Sequence, residues 1–110
     1  MVIYKVSITI DTDVQTEWLS WMMEEHIPEV LAAGYFTDCK FYQVLDPAPT
    51  SEMVKFVVDY RCESVEKLRQ YRENVAPALM KKHEERFHRK FTSSREVLAE
   101  LKLHEGKVIF

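Results

Sequence analysis

The sequence predicts an α+β fold in which a four-stranded antiparallel sheet carries two helices on one of its faces. Three observations support this prediction. Apolar and polar residues alternate in segments 2–10 and 54–62, which is typical of strands with one buried face. Two long segments repeat their apolar residues at helical spacing. The elements follow the order strand, helix, strand, strand, helix, strand.

The chain opens with a strand over residues 2–10 and continues into a long helix. Residues 11–13 can cap that helix, which is expected to cover residues 14–33. Pro28 lies inside it and is expected to kink it, because proline lacks the N–H of a regular helical hydrogen bond. Gly34 is the expected terminator, since glycine adopts the left-handed conformation without a steric cost.

Two strands are expected to flank the clearest loop in the chain. Residues 35–45 are rich in aromatic and β-branched side chains, and residues 46–51 contain two prolines within a polar turn segment. The following strand, residues 54–62, has the cleanest alternation in the sequence. Its apolar face must be covered by a helix.

The second helix is expected to provide that cover. Ser64 is its predicted N-cap, and the helix is expected to continue to about Arg89. Pro77 interrupts it, and Asn74 is suited to cap a second segment.

A weaker strand is predicted over residues 91–101, followed by an irregular or short extended tail over residues 102–110. With right-handed connections the six elements form the split βαβ arrangement of ferredoxin-like proteins. Residues 1–110 are expected to form a single domain, because 110 residues with 46% hydrophobic content suit one compact core.

The composition argues against several classes of partner. The net charge is −3, so no basic surface for nucleic acid is expected. The sequence has no apolar stretch of membrane-spanning length and no leader-like start, so no membrane association and a cytoplasmic location are expected. The two cysteines, Cys39 and Cys62, lie far apart and are expected to be reduced thiols.

A histidine lies within the apolar face of each predicted helix. His26 falls near the middle of the apolar arc of the first helix, so its ring is expected to face the sheet. His83 lies four residues from both Leu79 and Phe87 in the second helix. The two rings can therefore approach each other and form an acid/base site. In the alternative interpretation, each is a core residue that bonds to a carbonyl or a buried tyrosine.

A pocket is expected beside His26, because a kinked helix cannot follow the sheet closely and methionine tolerates an irregular void. The predicted ligand-binding residues are Trp18, Met22 and Met23 from the helix and Tyr4 from the sheet. Trp18 is placed at the edge of the covered arc and Trp21 nearer the polar side. Next to such a void, His26 is expected to titrate between about pH 5 and 8.

No metal or organic cofactor is expected. His83 is followed by two glutamates but lacks the second histidine of a zinc-binding HExxH helix. The chain has two glycines, too few for a phosphate-binding or dinucleotide-binding loop.

Several short motifs resemble those of an uncharacterised bacterial family, domain of unknown function DUF4286, over nearly the whole chain. They are Trp18-Leu19-Ser20-Trp21-Met22, His26-Ile27-Pro28, Gly34-Tyr35-Phe36-Thr37, Ala76-Pro77-Ala78-Leu79, His83 and Arg86-Phe87. The order of elements and the His-x-Pro motif also resemble the dimeric α/β-barrel superfamily. That superfamily includes antibiotic-biosynthesis monooxygenases, muconolactone-type isomerases, ether-degradation (EthD) proteins and haem-degrading enzymes.

The resemblance implies a homodimer whose two sheets form a barrel, with a pocket between the sheet and the helices of each subunit. Haem degraders pair a helix-two histidine with a tryptophan and a strand asparagine. Here both tryptophans lie on helix one and the only asparagine is Asn74, so haem is not expected. A separate observation also favours a dimer. A monomer would expose Met53, Val57 and either Phe41 or Tyr42 on the less apolar face of the sheet.

Two functions follow as alternatives. In the first, the protein is a cofactor-independent isomerase or monooxygenase for a small apolar or aromatic substrate. His26 is then the acid/base, and His83 or Tyr60 orients the substrate. In the second, the protein is a noncatalytic ligand-binding or assembly domain, and His26 and His83 are core residues.

Overall fold

A computed structural model of the chain describes residues 1–109, with side chains placed as far as Lys107. The strands are β1 (Val2–Asp11), β2 (Asp38–Gln43), β3 (Met53–Cys62), β4 (Phe91–Ala99), β5 (Lys102–His104) and β6 (Lys107–Ile109). The α-helices are α1 (Gln15–Trp21), α2 (Ile27–Ala32), α3 (Val65–Asn74) and α4 (Ala76–Arg86). A 3₁₀ turn over Thr12–Val14 precedes α1, and a π-helical turn over Met22–His26 joins α1 to α2.

The first four strands form one antiparallel sheet in the order β2-β3-β1-β4. This order, with both helical segments covering one face, confirms the predicted ferredoxin-like α+β fold. Side chains of β1 alternate strictly between buried and partly buried positions, as the period-two pattern predicted. The register aligns Tyr4 with Tyr60 and Ile8 with Phe56, so these rings share the helix-facing side of the sheet.

The first helical region is interrupted by a widened turn. The Ile27 N–H donates to the Met22 carbonyl, five residues earlier, where a regular α-helix would bond four residues back. Pro28 stands directly after this turn, near the start of α2. The expected kink therefore takes the form of a π turn. Gly34 ends the region at φ 84°, which confirms the predicted terminator.

The second helical region also breaks close to its proline. The Ser64 side chain accepts a hydrogen bond from the Lys67 N–H at 3.1 Å, which confirms the predicted N-cap. The expected Asn74 cap is wrong, because Asn74 is the last residue of α3 and Val75 stands at the cap of α4 without a side-chain bond. Pro77 lies in the first turn of α4, where its missing N–H costs no hydrogen bond.

The C-terminal tail takes the second of its two expected forms, short extended segments. Strands β5 and β6 form a small antiparallel hairpin around Glu105 and Gly106, which both have positive φ values. Such values suit the tight two-residue turns that join paired strands. Phe110 lies outside the described residues. Both cysteines are free thiols, and no helix within residues 1–109 is long and apolar enough to cross a membrane.

Candidate functional site

The π turn determines which side chains of the first helical region face the sheet. Met22 is 1% exposed, whereas Met23 is 58% exposed. The expected place of Met23 in the pocket lining is therefore wrong. That expectation drew one arc through the whole region, whereas the inner face of α1 is formed by Trp18, Trp21 and Met22, and the π turn sets α2 in a different phase. Met22 and His26 remain on the inner side, four residues apart.

The two inward histidines lie next to each other. The ring centroids of His26 and His83 are 6.0 Å apart, which confirms the expectation that the two helices bring them together. Trp21 lies against both rings, with centroid distances of 5.0 Å to His26 and 5.4 Å to His83. Trp21 is consequently buried, and its expected position nearer the polar side is wrong. Its indole is the packing surface that holds the histidine pair.

His83 is held by a buried hydrogen bond. The indole Nε1 of Trp18 donates to Nε2 of His83 at 2.9 Å. Because an indole nitrogen can only donate, Nε2 of His83 must be unprotonated and the neutral ring carries its proton on Nδ1. Within the described residues this Nδ1–H has no hydrogen-bond acceptor, so it remains available to a ligand.

Trp18 supports the site from behind. Its side chain is 0% exposed and packs against Phe56 and Phe41, with ring centroids 5.0 and 5.9 Å away. The expectation that Trp18 stands at the edge of the arc and lines the pocket is therefore wrong. The large indole fills the space between the helix and the sheet, and its only polar atom bonds to His83.

Both histidines are neutral at physiological pH. Burial lowers the pKa of His26 to about 4; Glu29 opposes this shift, and Arg95 and Lys82 reinforce it. Burial also lowers the pKa of His83 to about 4, with smaller contributions from His26 and Arg95. This direction opposes the expected titration of His26 between about pH 5 and 8, because burial against Trp21 removes water from the ring. Each ring can act as a neutral base or hydrogen-bond partner.

Three tyrosines form a polar layer beside the histidines. Tyr4 lies 6.5 Å from Tyr60 and 6.2 Å from Tyr71, measured between ring centroids. Burial raises the pKa of Tyr60 far above its usual range and raises that of Tyr71 to about 12. All three hydroxyls lack hydrogen-bond partners within the part of the chain that the structure describes. They are therefore available as donors to a ligand.

A cavity of about 470 Å³ connects these groups. Its floor comes from the helix-facing side of β1, β3 and β4, and its roof from the helical regions. The polar and flexible side chains of the lining include Tyr4, Met22, His26, Tyr60, Tyr71, His83, Ser93 and Arg95. The cavity is also lined by exposed residues of α4, among them Met80 and Lys81, and by exposed Ser93 of β4. Its mouth therefore opens between α4 and the edge strand β4.

Three of these lining residues were not predicted from the sequence. Tyr71 lies three residues after Leu68 on the same helix face, a spacing that could have identified it. Ser93 and Arg95 follow Phe91 at alternate positions of β4 and pair with Ile8 and Val6 of β1. The period-two signal was present, but a charged residue at an inner position weakened the pattern.

The described residues contain no cluster of three or more histidine, cysteine or acidic side chains placed to hold a metal ion. Glu84, the carboxylate that lines the cavity, lies near its mouth and contacts His88 Nδ1 at 2.9 Å.

Comparison with known proteins places the chain among similar folds. The profile of a family described as "Domain of unknown function (DUF4286)" matches residues 1–101. An ethyl tert-butyl ether D (EthD) family protein from Bacillus halodurans C-125 superposes with a TM-score of 0.63 and 14% identity, over 91% of this chain and 99% of that one. A dimeric ferredoxin-like protein from an uncultured marine organism superposes with a TM-score of 0.65 and 9% identity, over 94% and 98% of the two chains. No curated protein gives a significant match.

Proposed function

The chain belongs to the DUF4286 family, a domain of unknown function, and we propose that the protein binds a small apolar or aromatic molecule in the cavity described above. The supporting observation is the mixed character of the lining. Apolar side chains and aromatic rings form the walls, while His26, the Nδ1–H of His83 and three tyrosine hydroxyls have no partner among the described residues. A few unpaired polar groups on an apolar wall are typical of ligand sites.

Proton transfer is the second candidate function, because His26 lines the cavity in its unprotonated form. A neutral His26 can accept a proton from a bound molecule, and Tyr60 and the Nδ1–H of His83 can donate hydrogen bonds to the oxyanion that forms. Isomerisation by such a transfer needs a base and hydrogen-bond donors, which these side chains supply. In the noncatalytic alternative, the bond from Trp18 to His83 is purely structural and the cavity only stores or senses its ligand.

Filling the cavity is expected to abolish binding without unfolding the protein. Ser93 lines the cavity near its mouth and is exposed, so Ser93→Phe can place a ring in the cavity at little cost in stability. After equilibration with the small-molecule fraction of a cell extract, wild type and the control Ser93→Ala should retain an aromatic or apolar compound, identified by mass spectrometry. Ser93→Phe should retain at least about tenfold less, since a blocked site loses most contacts.

Equal retention by Ser93→Phe, or no retention by wild type, would contradict the proposed site. The same samples separate the two candidate functions. A binding protein returns its compound unchanged, whereas an isomerase also returns the isomer, and a His26→Gln variant then retains the starting compound alone.

We also propose that the protein is a cytoplasmic homodimer that pairs sheet to sheet. Tyr42 and Val57 are register partners on the face away from the helices, and Met53 on the same face is 46% exposed. Phe41 instead faces the core, against Trp18. Oδ1 of Asp59, also on the outer face, is buried without a partner among the described residues. A second copy would cover the apolar residues of this face.

Sedimentation at micromolar concentration is expected to give a species of twice the 13.1 kDa chain mass. Val57→Asp should shift it to the monomer, because an unpaired charge in the interface costs several kcal/mol. The matched control is Val65→Asp on α3, where the side chain is already 64% exposed, and it should stay dimeric. A wild-type monomer would contradict the dimer and leave the cavity proposal unaffected.

A further inference from the structure

Arg95 places a guanidinium group on the helix-facing side of the sheet. It pairs in register with Val6, and the residues directly opposite each other in a sheet point to the same face. Val6 is buried under the helices, and Arg95 is partly buried and lines the cavity. A permanent positive charge therefore lies beside a largely apolar and aromatic space, whose other charged lining residues, Lys81 and Glu84, are exposed on α4.

Among the described residues, this guanidinium has no carboxylate partner. Its Nη1 donates a hydrogen bond to the Ser93 hydroxyl at 3.2 Å. Arg61, Arg69 and Arg86 each form an ion pair with a glutamate. Arg72 and Arg89 form none within the described residues but are exposed, so Arg95 differs from them in lining the cavity. A guanidinium has five N–H donors in a planar fork that fits a carboxylate, so most of the hydrogen-bonding capacity of Arg95 is unused.

The surroundings of Arg95 favour a negatively charged ligand. Its positive charge opposes protonation of both His26 and His83 and so adds to the effect of burial on their pKa values, as expected for a cation that lines the same cavity. The hydroxyls of the three tyrosines, described above, are hydrogen-bond donors. Glu84, the carboxylate in the described lining, stands at the mouth and is exposed. The interior therefore offers positive charge and hydrogen-bond donors to an anion.

We infer that the ligand of the cavity is a small aromatic or unsaturated carboxylic acid whose carboxylate binds Arg95 and whose apolar body packs among the tyrosine and histidine rings. This inference rests on the proposed binding function and specifies its ligand class. Binding replaces water around the guanidinium with a paired anion. The loss of hydration is offset because charge-assisted, two-pronged hydrogen bonds are stronger in a partly enclosed site than in water.

A matched pair of probes tests the inference. 2-Naphthoate and 2-naphthamide have the same bicyclic ring, but the first carries a negative charge and the second is neutral. Calorimetric titration of wild type should show at least about tenfold tighter binding of the acid, since hydrogen bonds to charged groups contribute more than neutral ones. Arg95→Gln should reduce that preference to within about twofold, because the amide side chain it introduces cannot form charge-assisted hydrogen bonds to a carboxylate.

The control is Arg69→Gln on α3, an exposed position outside the cavity lining, which should keep the wild-type preference. Amide-region NMR spectra establish that each variant is folded. Equal affinity of wild type for both probes, or a preference that survives Arg95→Gln, would overturn the carboxylate inference while the binding function stands. Failure of both probes to bind wild type would count against the binding function itself and overturn the inference with it.

Discussion

Replacing Trp18 with alanine is expected to lower the free energy of unfolding by about 3–5 kcal/mol. The indole is 0% exposed and packs against Phe41 and Phe56, so truncation leaves a cavity that the sheet cannot close. It also removes the donor to Nε2 of His83 and leaves that buried acceptor unpaired. Urea denaturation at a fixed protein concentration measures the change.

The conservative variant separates packing from hydrogen bonding. Trp18→Phe fills most of the space but cannot donate to His83, so it should cost about 1–3 kcal/mol. The surface control is Leu103→Ala, at a side chain that is 70% exposed, and it should change stability by less than about 0.5 kcal/mol. A Trp18→Phe protein as stable as wild type would show that the indole bond contributes nothing to the fold.

Lowering the pH from 7 toward 4 is expected to destabilise the protein through its buried histidines. In the folded state the pKa values of His26 and His83 are about 4, below the ordinary value of 6.5. The unfolded chain therefore binds more protons between these values, and stability falls as pH decreases through that range. Since one pKa unit corresponds to about 1.4 kcal/mol, each histidine should contribute a loss of about 2–3 kcal/mol.

Carboxylates titrate over part of the same pH range. The contribution of the histidines is therefore the difference between the stability losses of wild type and of a variant that lacks both histidines. A His26→Gln/His83→Gln protein should lose much less stability than wild type between pH 7 and pH 4. The amide oxygen that the second substitution introduces can still accept the bond from Trp18, which protects the fold. His88→Gln, at a side chain that is 65% exposed, should change stability by less than about 0.5 kcal/mol at either pH. Parallel curves for wild type and the double variant would contradict the neutral, buried assignment.

The fold could be predicted because the periodic spacing of apolar residues is clear where the structure is regular. Alternation along β1 and β3 identified the two central strands, and Ser64 and Gly34 marked helix ends through backbone requirements that few residues meet. The helical positions of His26 and His83 indicated that the two rings could approach each other, and their centroids lie 6.0 Å apart. These features depend on local spacing, which the sequence shows directly.

The remaining errors arise where local spacing is not regular. Met23 faces solvent because the π turn sets α1 and α2 in different phases, so the single arc that was drawn through both helices does not describe the inner face of α1. Trp18 is sealed in the core because two phenylalanines from neighbouring strands enclose it, a long-range arrangement that helical spacing does not encode. Arg95 was missed because an inner charge is uncommon in strands, although its register with Val6 places it there.

The most direct test of the central claim, that neutral His26 and His83 face a ligand-binding cavity, is long-range ¹H–¹⁵N NMR of the histidine rings with and without 2-naphthoate or 2-naphthamide. At neutral pH we expect both rings to be neutral, with the proton of His83 on Nδ1 as the Trp18 bond requires. Adding either probe should shift both rings and leave exposed His88 and His104 unchanged. Charged rings at neutral pH, or rings that neither probe shifts, would contradict the claim.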